Sequence, residues 1–142
     1  MTGPRVMRLT AARVGSASVG YGQGVARGAV VVLAGTEGRD GIGRVANALV
    51  TAREFKESGD EVVLLFDGAG TQWIRELADP EHKYHAAFEH VRDVVSGACR
   101  YCASAYGVTE DVERAGIALL DEYEHHPSIR RLVTDGYSVV TF

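Results

Sequence analysis

The fold is decided by the stretch AVVVLAG, residues 29–35, together with EVVLLFDG, residues 61–68. Both are continuous apolar runs rich in Val and Leu, which is typical of strands buried on both faces. Between them, residues 44–57 show apolar side chains near the 3.6-residue repeat of an amphipathic helix. Strands that alternate with helices favour a mainly parallel sheet covered on both faces. The sequence therefore predicts an α/β fold.

The rest of the chain extends this alternation with shorter elements. Residues 71–79 and 81–95 predict two helices, and Pro127 is placed as the first residue of a third, through Val133. Short strands are predicted within 116–120 and 137–142, and the stretch before Cys99 is strand-like, which brings the sheet to about five strands. Residues 1–27 are rich in Gly, Ser and Ala and are interpreted as a poorly defined leader, with residues 28–142 as the α/β domain.

Composition excludes several classes of function. The chain has 142 residues, a formal net charge of −4 and a pI near 5.7, without the basic stripe of a nucleic-acid binder. No apolar run reaches the roughly 18 residues that span a bilayer, and the N-terminus lacks the apolar core of a secretory signal. Two cysteines do not make a disulfide framework. We therefore expect a cytoplasmic protein that binds neither nucleic acid nor membrane.

The predicted sheet indicates where a ligand would bind. In open α/β sheets, ligands lie outside the carboxyl ends of the strands. The loops expected there are residues 34–43, 67–71 and 97–102, all rich in small residues that let the backbone approach a ligand. The candidate ligand-binding residues in the first two of these loops are Gly35, Gly41, Gly43, Asp67 and Gly68.

The glycine-rich loop also partly matches a nucleotide-binding fingerprint. Gly41, Gly43 and Ala46 satisfy the spacing G-x-G-x-x-[GA] before a predicted helix. However, Gly41 follows the strand by several residues, whereas the first glycine of a true fingerprint turns directly after the strand. A nucleotide-dependent enzyme therefore stays a third reading, and no cofactor is predicted.

Both cysteines lie in GACRYCASAYGV, residues 97–108, in a C-x-x-C spacing. A helical turn that begins near Cys99 would lower the pKa of its thiol, with help from Arg100, and Cys102 would lie on the same helical face. The alternative is that both are buried packing residues, since free cysteine is among the most buried residue types. The sequence leaves a chemical role and a structural role open.

Histidines do not complete a metal site in the sequence. Zinc needs four ligands, and the chain offers a single C-x-x-C, with His82, His85 and His90 on predicted exposed helix positions. No metal site is therefore predicted. The pair His125–His126 precedes Pro127, and His126 is a candidate base or hydrogen-bond donor at the sheet edge.

Three longer stretches together resemble the DsrE/DsrF-like family of small sulfur-relay proteins: LLFDGAGTQWIREL (64–77), VVSGACRYCASAYGV (94–108) and HHPSIRRLVTDGYSVVTF (125–142). The resemblance implies a three-layer α/β/α sandwich and a homo-oligomer, either a trimer or a hexamer. It also implies a cysteine persulfide that passes sulfur between donor and acceptor proteins. By spacing to Gly107-Val108, Cys99 is the residue that matches the persulfide cysteine, and Cys102 is an additional thiol.

Two principal functions follow from these observations. The first is a cysteine-based sulfur carrier or thiol-redox protein acting through Cys99, with Cys102 as the resolving thiol. The second is a non-catalytic oligomeric module that binds a small ligand or a partner and keeps its cysteines for packing. As an oligomer signal, we expect Trp73, Tyr84 and Phe88 to be incompletely buried on short helices and to form an interface.

Overall fold

A computed structural model describes residues 26–142 and shows one parallel sheet. Its strands are β1 (Arg27–Val32), β2 (Glu61–Phe66), β3 (Val95–Cys99), β4 (Leu119–Leu120) and β5 (Ser138–Thr141). The strand order is β4-β3-β2-β1-β5, and every neighbouring pair is parallel. The predicted α/β fold with a mainly parallel sheet of about five strands is confirmed.

Six α-helices connect these strands: α1 (Gly38–Glu57), α2 (Trp73–Ala78), α3 (His85–Val91), α4 (Arg100–Ala105), α5 (Thr109–Arg114) and α6 (Ile129–Thr134). From β1 to β4 the chain moves in one direction across the sheet, so right-handed crossovers place α1 to α5 on one face. The connection from β4 to β5 returns to the opposite edge, and the same handedness places α6 on the other face. The sheet therefore lies between two helical layers.

The main core lies between the sheet and the larger helical layer. Alternate strand residues, such as Val30, Val32, Leu64 and Phe66, point into it, as the two-residue period of a strand requires. Phe88 of α3 packs edge-to-face on Phe66, with ring centroids 6.2 Å apart. Such aromatic pairs contribute stability beyond their buried area.

The expected aromatic interface is wrong for two of its three residues. Trp73 is 3% exposed and Phe88 is fully buried, and both belong to the core. The indole N–H of Trp73 donates a hydrogen bond to the carbonyl oxygen of Ala34 at 2.8 Å, which satisfies its only polar group. Tyr84 is partly buried and packs against the same core. These aromatic residues therefore serve internal packing.

Helix α1 corrects the prediction for the glycine-rich loop. The helix begins at Gly38 instead of near Arg44, so Gly41 and Gly43 are helical residues and not loop residues. Gly41 is buried against the chain after β1, where an added Cβ would overlap the carbonyl oxygen of Gly35. The glycine thus allows close packing of the first helical turns.

Two other boundaries differ from the prediction. The predicted helix 81–95 is confined to α3, because Val95 already begins β3. Helix α6 begins after Ser128, whose hydroxyl accepts a hydrogen bond from the N–H of Arg131, so Pro127 precedes the N-cap and is not the first helical residue. A serine at this position satisfies one of the free N–H groups of the helix start.

The short strand β4 depends on a glycine in β3. Gly97 has φ +156°, and a Cβ there would lie 2.7 Å from Cγ of Leu120. The N–H of the next residue, Ala98, donates to the carbonyl oxygen of Ala118 at 2.9 Å. The missing side chain therefore lets β4 lie directly beside the end of β3.

The leader predicted for residues 1–27 lies outside the described residues except for Ala26 and Arg27, and Arg27 begins β1. Over residues 26–142, none of the helices has both the length and the apolar character that a membrane crossing requires.

Two glycines in α1 should respond in opposite directions to alanine. We expect Gly41→Ala to lower the free energy of unfolding by about 1–3 kcal/mol, because the new methyl group meets backbone of Gly35. Gly43 is exposed with no atom within 4 Å of an added Cβ, so Gly43→Ala should raise it by about 0.5–1 kcal/mol. Urea unfolding of both variants checks this, and equal effects would contradict it.

Candidate functional site

Four side chains with different chemistry converge at the carboxyl edge of the sheet. Asp67 follows β2, Cys99 ends β3, Cys102 lies in α4 and His126 lies in the loop after β4. One potential ligand atom from each of them falls within 4.8 Å of all the others. All four were candidates in the sequence, and the structure brings them into one cluster, which we call the thiol cluster.

The closest contact in the thiol cluster joins a thiol to an imidazole. Sγ of Cys99 lies 3.1 Å from Nδ1 of His126. In the tautomer that is protonated on Nε2, Nδ1 accepts a hydrogen bond from this thiol. The backbone N–H of Cys102 also points to Sγ of Cys99, at 3.4 Å. The buried sulfur thus has a proton acceptor on one side and a proton donor on the other.

A strained tight turn holds His126 in place. Tyr123 and His126 exchange backbone hydrogen bonds of 2.9 and 2.8 Å, which closes the turn between them. Its two central residues, Glu124 and His125, have φ of +49° and +67°, a region that non-glycine residues rarely adopt. Strained conformations of this kind persist where the surrounding structure imposes them, often at functional sites.

The turn is tied to α4 by backbone and side-chain contacts. The N–H of Tyr101 donates to the carbonyl oxygen of His125 at 3.0 Å. The Tyr101 ring lies beside the imidazole of His126, with centroids 5.0 Å apart. Tyr101 therefore restrains both the backbone of the turn and the imidazole of His126.

Cys102 occupies the more accessible side of the cluster. Cys99 has no exposed surface, whereas Cys102 is partly exposed. The Cys102 thiol donates to Oδ1 of Asp67 at 3.5 Å, and the same oxygen accepts from the N–H of Gly68 at 2.8 Å. An outer thiol therefore contacts a carboxylate, while an inner thiol contacts an imidazole.

Burial dominates the acidity of the inner thiol. It raises the pKa of Cys99 to about 12, opposed by the N–H of Cys102 and reinforced by the neighbouring Cys102 thiol and the Asp67 carboxylate. The prediction of a lowered pKa is wrong, because burial of the thiol outweighs the lowering effect of the Cys102 N–H at the start of α4. Cys99 is consequently a neutral thiol near neutral pH.

The other predicted site residues lie outside the thiol cluster. The guanidinium of Arg100 points to solvent and pairs with Asp121, with Nε 3.0 Å from Oδ2. Gly35 and Gly41 line a separate open groove between the end of β1 and α1. Gly43 is exposed within the helix and faces neither region.

Sequence reasoning missed the residues that position His126. Neither Tyr101 nor Tyr123 is among the residues predicted from the sequence. The turn at Glu124-His125 lacks the Asn or Gly that marks such turns in a sequence. The chain therefore carried no local signal for this arrangement.

Comparisons with known proteins found similarity both in sequence and in structure. No protein-family model matches it. A conserved protein of unknown function from Bacteroides thetaiotaomicron, BT1422, has a similar structure, with a TM-score of 0.55 and 13% identity over 80% of this chain and 94% of that one. This likeness shows the shared α/β fold alone.

A relative in Methanocaldococcus jannaschii, the uncharacterized protein MJ0733, is 31% identical over 96 residues. The match covers 66% of this chain and 76% of the relative. On this identity and coverage, the chain belongs to the same family as MJ0733.

Proposed function

We propose that the chain is a cysteine-based sulfur carrier or thiol-redox protein that works through Cys99 and Cys102. The observation that carries this proposal is the 3.1 Å contact between Sγ of Cys99 and Nδ1 of His126, beside a second thiol. A cysteine becomes a nucleophile when a nearby base removes its proton, and a base oriented by further contacts is the usual arrangement. The resemblance to the DsrE/DsrF-like family supports the same chemistry.

Exposure favours Cys102 as the thiol that receives sulfur. The resemblance implies a persulfide on Cys99, but Cys99 is fully buried and Cys102 is partly exposed. The Cys102 thiolate attacks the outer sulfur of a donor persulfide, R–S–SH, which gives Cys102–S–SH and releases R–S⁻. The Asp67 carboxylate accepts the Cys102 proton and passes it to the departing R–S⁻, which leaves as a thiol.

The inner thiol then decides the fate of the carried sulfur. An acceptor thiolate that attacks the outer sulfur of Cys102–S–SH takes it away and restores Cys102. In its absence, His126 removes the Cys99 proton, and the Cys99 thiolate attacks the inner sulfur of the persulfide. This forms a Cys99–Cys102 disulfide and releases HS⁻; an external dithiol then reduces the disulfide. The two routes correspond to sulfur transfer and to thiol redox chemistry.

A homo-oligomer and separate donor and acceptor proteins belong to the same proposal. Their support is the family resemblance, together with the large apolar side chains near the cluster that stay exposed. Tyr101, Tyr106 and Tyr123 are 57%, 45% and 70% exposed, respectively. Exposed tyrosines of this kind are enriched where proteins meet.

The two thiols should react with alkylating reagents at very different rates. Near neutral pH, we expect iodoacetamide to modify Cys102 first and Cys99 slowly, because Cys99 is buried and burial raises its pKa to about 12. Below that pKa the thiolate fraction of Cys99 grows about tenfold per pH unit, so its rate should climb steadily into the alkaline range. Peptide mass spectrometry across pH measures both rates. Faster modification of Cys99 at neutral pH would contradict the assignment.

Single-cysteine variants test sulfur loading directly. After exposure to a persulfide donor, we expect Cys99→Ser to gain one sulfur and keep it, because no inner thiol resolves the persulfide. Cys102→Ser should gain none. Intact-mass spectrometry measures the adduct, and a thermal melt confirms that each variant folds. Loading that requires Cys99 and not Cys102 would restore the assignment implied by resemblance, and no loading in any variant would refute the function.

A matched control separates the site from exposed thiols in general. Ser104 is exposed on the same helix, so the double variant Cys102→Ser, Ser104→Cys presents a thiol without the neighbouring carboxylate and thiol. We expect it to load far more slowly than Cys99→Ser. Equal loading would mean that accessibility alone explains the adduct.

His126 should control sulfide release and not loading. We expect His126→Asn to gain sulfur on Cys102 normally but to release HS⁻ about 100-fold more slowly, since a general base contributes about 10²–10⁴-fold. A sulfide assay on the loaded protein gives the release rate. Release at the wild-type rate would exclude His126 as the base.

A further inference from the structure

The geometry points to a metal site at the thiol cluster: we propose that Asp67, Cys99, Cys102 and His126 bind a zinc-type divalent cation. Zinc in proteins is held by Cys sulfur, His nitrogen and Asp or Glu oxygen, usually four ligands in a tetrahedron. The cluster supplies two sulfurs, one nitrogen and one oxygen, all within 4.8 Å of one another. This binding does not depend on the proposed sulfur chemistry.

The separations in the cluster fit a tetrahedral ion. Ligand atoms around a tetrahedral zinc lie about 3.5 Å apart, given metal–ligand bonds of about 2.0–2.3 Å. Sγ of Cys99 is 3.1 Å from Nδ1 of His126, and Sγ of Cys102 is 3.5 Å from Oδ1 of Asp67. These two pairs form opposite edges of the tetrahedron, and none of the remaining separations exceeds 4.8 Å.

Groups around the ligands already hold them in orientation. The N–H of Cys102 donates to Sγ of Cys99, and the N–H of Gly68 donates to Oδ1 of Asp67. The tight turn positions the backbone of His126, and the Tyr101 ring packs beside its imidazole. Outer contacts of this kind orient metal ligands and tune their affinity.

The donor atoms also select the kind of ion. Two thiolates and an imidazole favour a soft or borderline ion such as Zn²⁺ over Mg²⁺ or Ca²⁺, which prefer oxygen. A cation would also offset the charge that the Asp67 carboxylate and two thiolates bring together in a partly buried site. The donor atoms therefore favour zinc, and the negative charge of the site favours a bound cation.

The test adds Zn²⁺ and, separately, Co²⁺ to the reduced, chelator-stripped full chain. We expect one Zn²⁺ per chain to remain after desalting, and Co²⁺ to give thiolate charge-transfer bands with the intense visible bands of tetrahedral cobalt. His126→Asn should weaken Zn²⁺ binding at least about 100-fold, because even outer contacts are worth about 10–100-fold. Asp67→Asn should weaken it less, since the amide keeps an oxygen.

His125→Asn is the matched control, because this neighbouring histidine is exposed and its φ of +67° suits Asn. It should bind Zn²⁺ like the wild type. Failure of the wild type to retain Zn²⁺, or binding unchanged by both His126→Asn and Asp67→Asn, would overturn the proposal. The latter result would describe a bare cysteine pair.

One measurement on the wild-type chain needs no variant. One equivalent of Zn²⁺ should protect Cys102, the thiol that reacts readily near neutral pH, from alkylation, and the absence of protection would overturn the proposal even if a variant failed to fold. Sulfur loading is measured separately on metal-free protein. Loading without zinc binding refutes only this site, and zinc binding without loading refutes only the sulfur carrier.

Discussion

The pairing of β3 with β4 determines where both thiols can act. Cys99 lies directly opposite Leu120 in this pair, so the chain leaving β4 starts beside the inner thiol. Because parallel strands end at the same edge, Asp67 after β2 arrives there as well. The contact between Cys99 and His126 thus joins residues 27 positions apart through a two-residue strand. Gly97 makes this possible, since any side chain there would push β4 away.

Desolvation gives the thiol cluster its chemical character. With both thiols protonated, Cys99 is hydrogen-bonded to the His126 imidazole and Cys102 to the Asp67 carboxylate. Removing both thiol protons would place two thiolates beside the Asp67 carboxylate and one imidazole. Bringing like charges together in a partly buried site costs free energy unless another group offsets them. Three kinds of compensation fit the geometry: transfer of a proton to His126, conversion of a thiol to a disulfide, or a bound cation. The burial that keeps Cys99 protonated thus favours states in which a disulfide or a cation offsets the charge of its thiolate, and each of the two proposals supplies one such state.

The sequence contained the strands and the members of the site, but not their arrangement. Continuous apolar runs identified β1 and β2 because a doubly covered strand has no polar face. The C-x-x-C after β3 was visible as a motif, and Asp67 and His126 were candidates from the ends of predicted elements. These residues come together because β4 pairs with β3. That pairing joins distant parts of the chain, and no local sequence pattern predicts it. Likewise, the pKa of Cys99 is raised because its thiol is buried. The C-x-x-C spacing indicated a helix start, which would lower the pKa, but it carried no information about burial.

Taken together, the two proposals make sulfur transfer and metal binding compete for the same cysteine sulfur atoms. A sulfur on Cys102 moves the charged sulfur atom outward by one bond, away from its place beside Asp67, Cys99 and His126, which lowers the affinity of the site for the cation. Linkage is reciprocal, so the bound cation must lower the affinity of the site for sulfur by the same factor. A cation bound to the Cys102 thiolate also draws electron density from its sulfur, which lowers the nucleophilicity with which Cys102 attacks a donor. The zinc-loaded chain is then the resting, protected form, and the metal-free chain is the form that accepts sulfur.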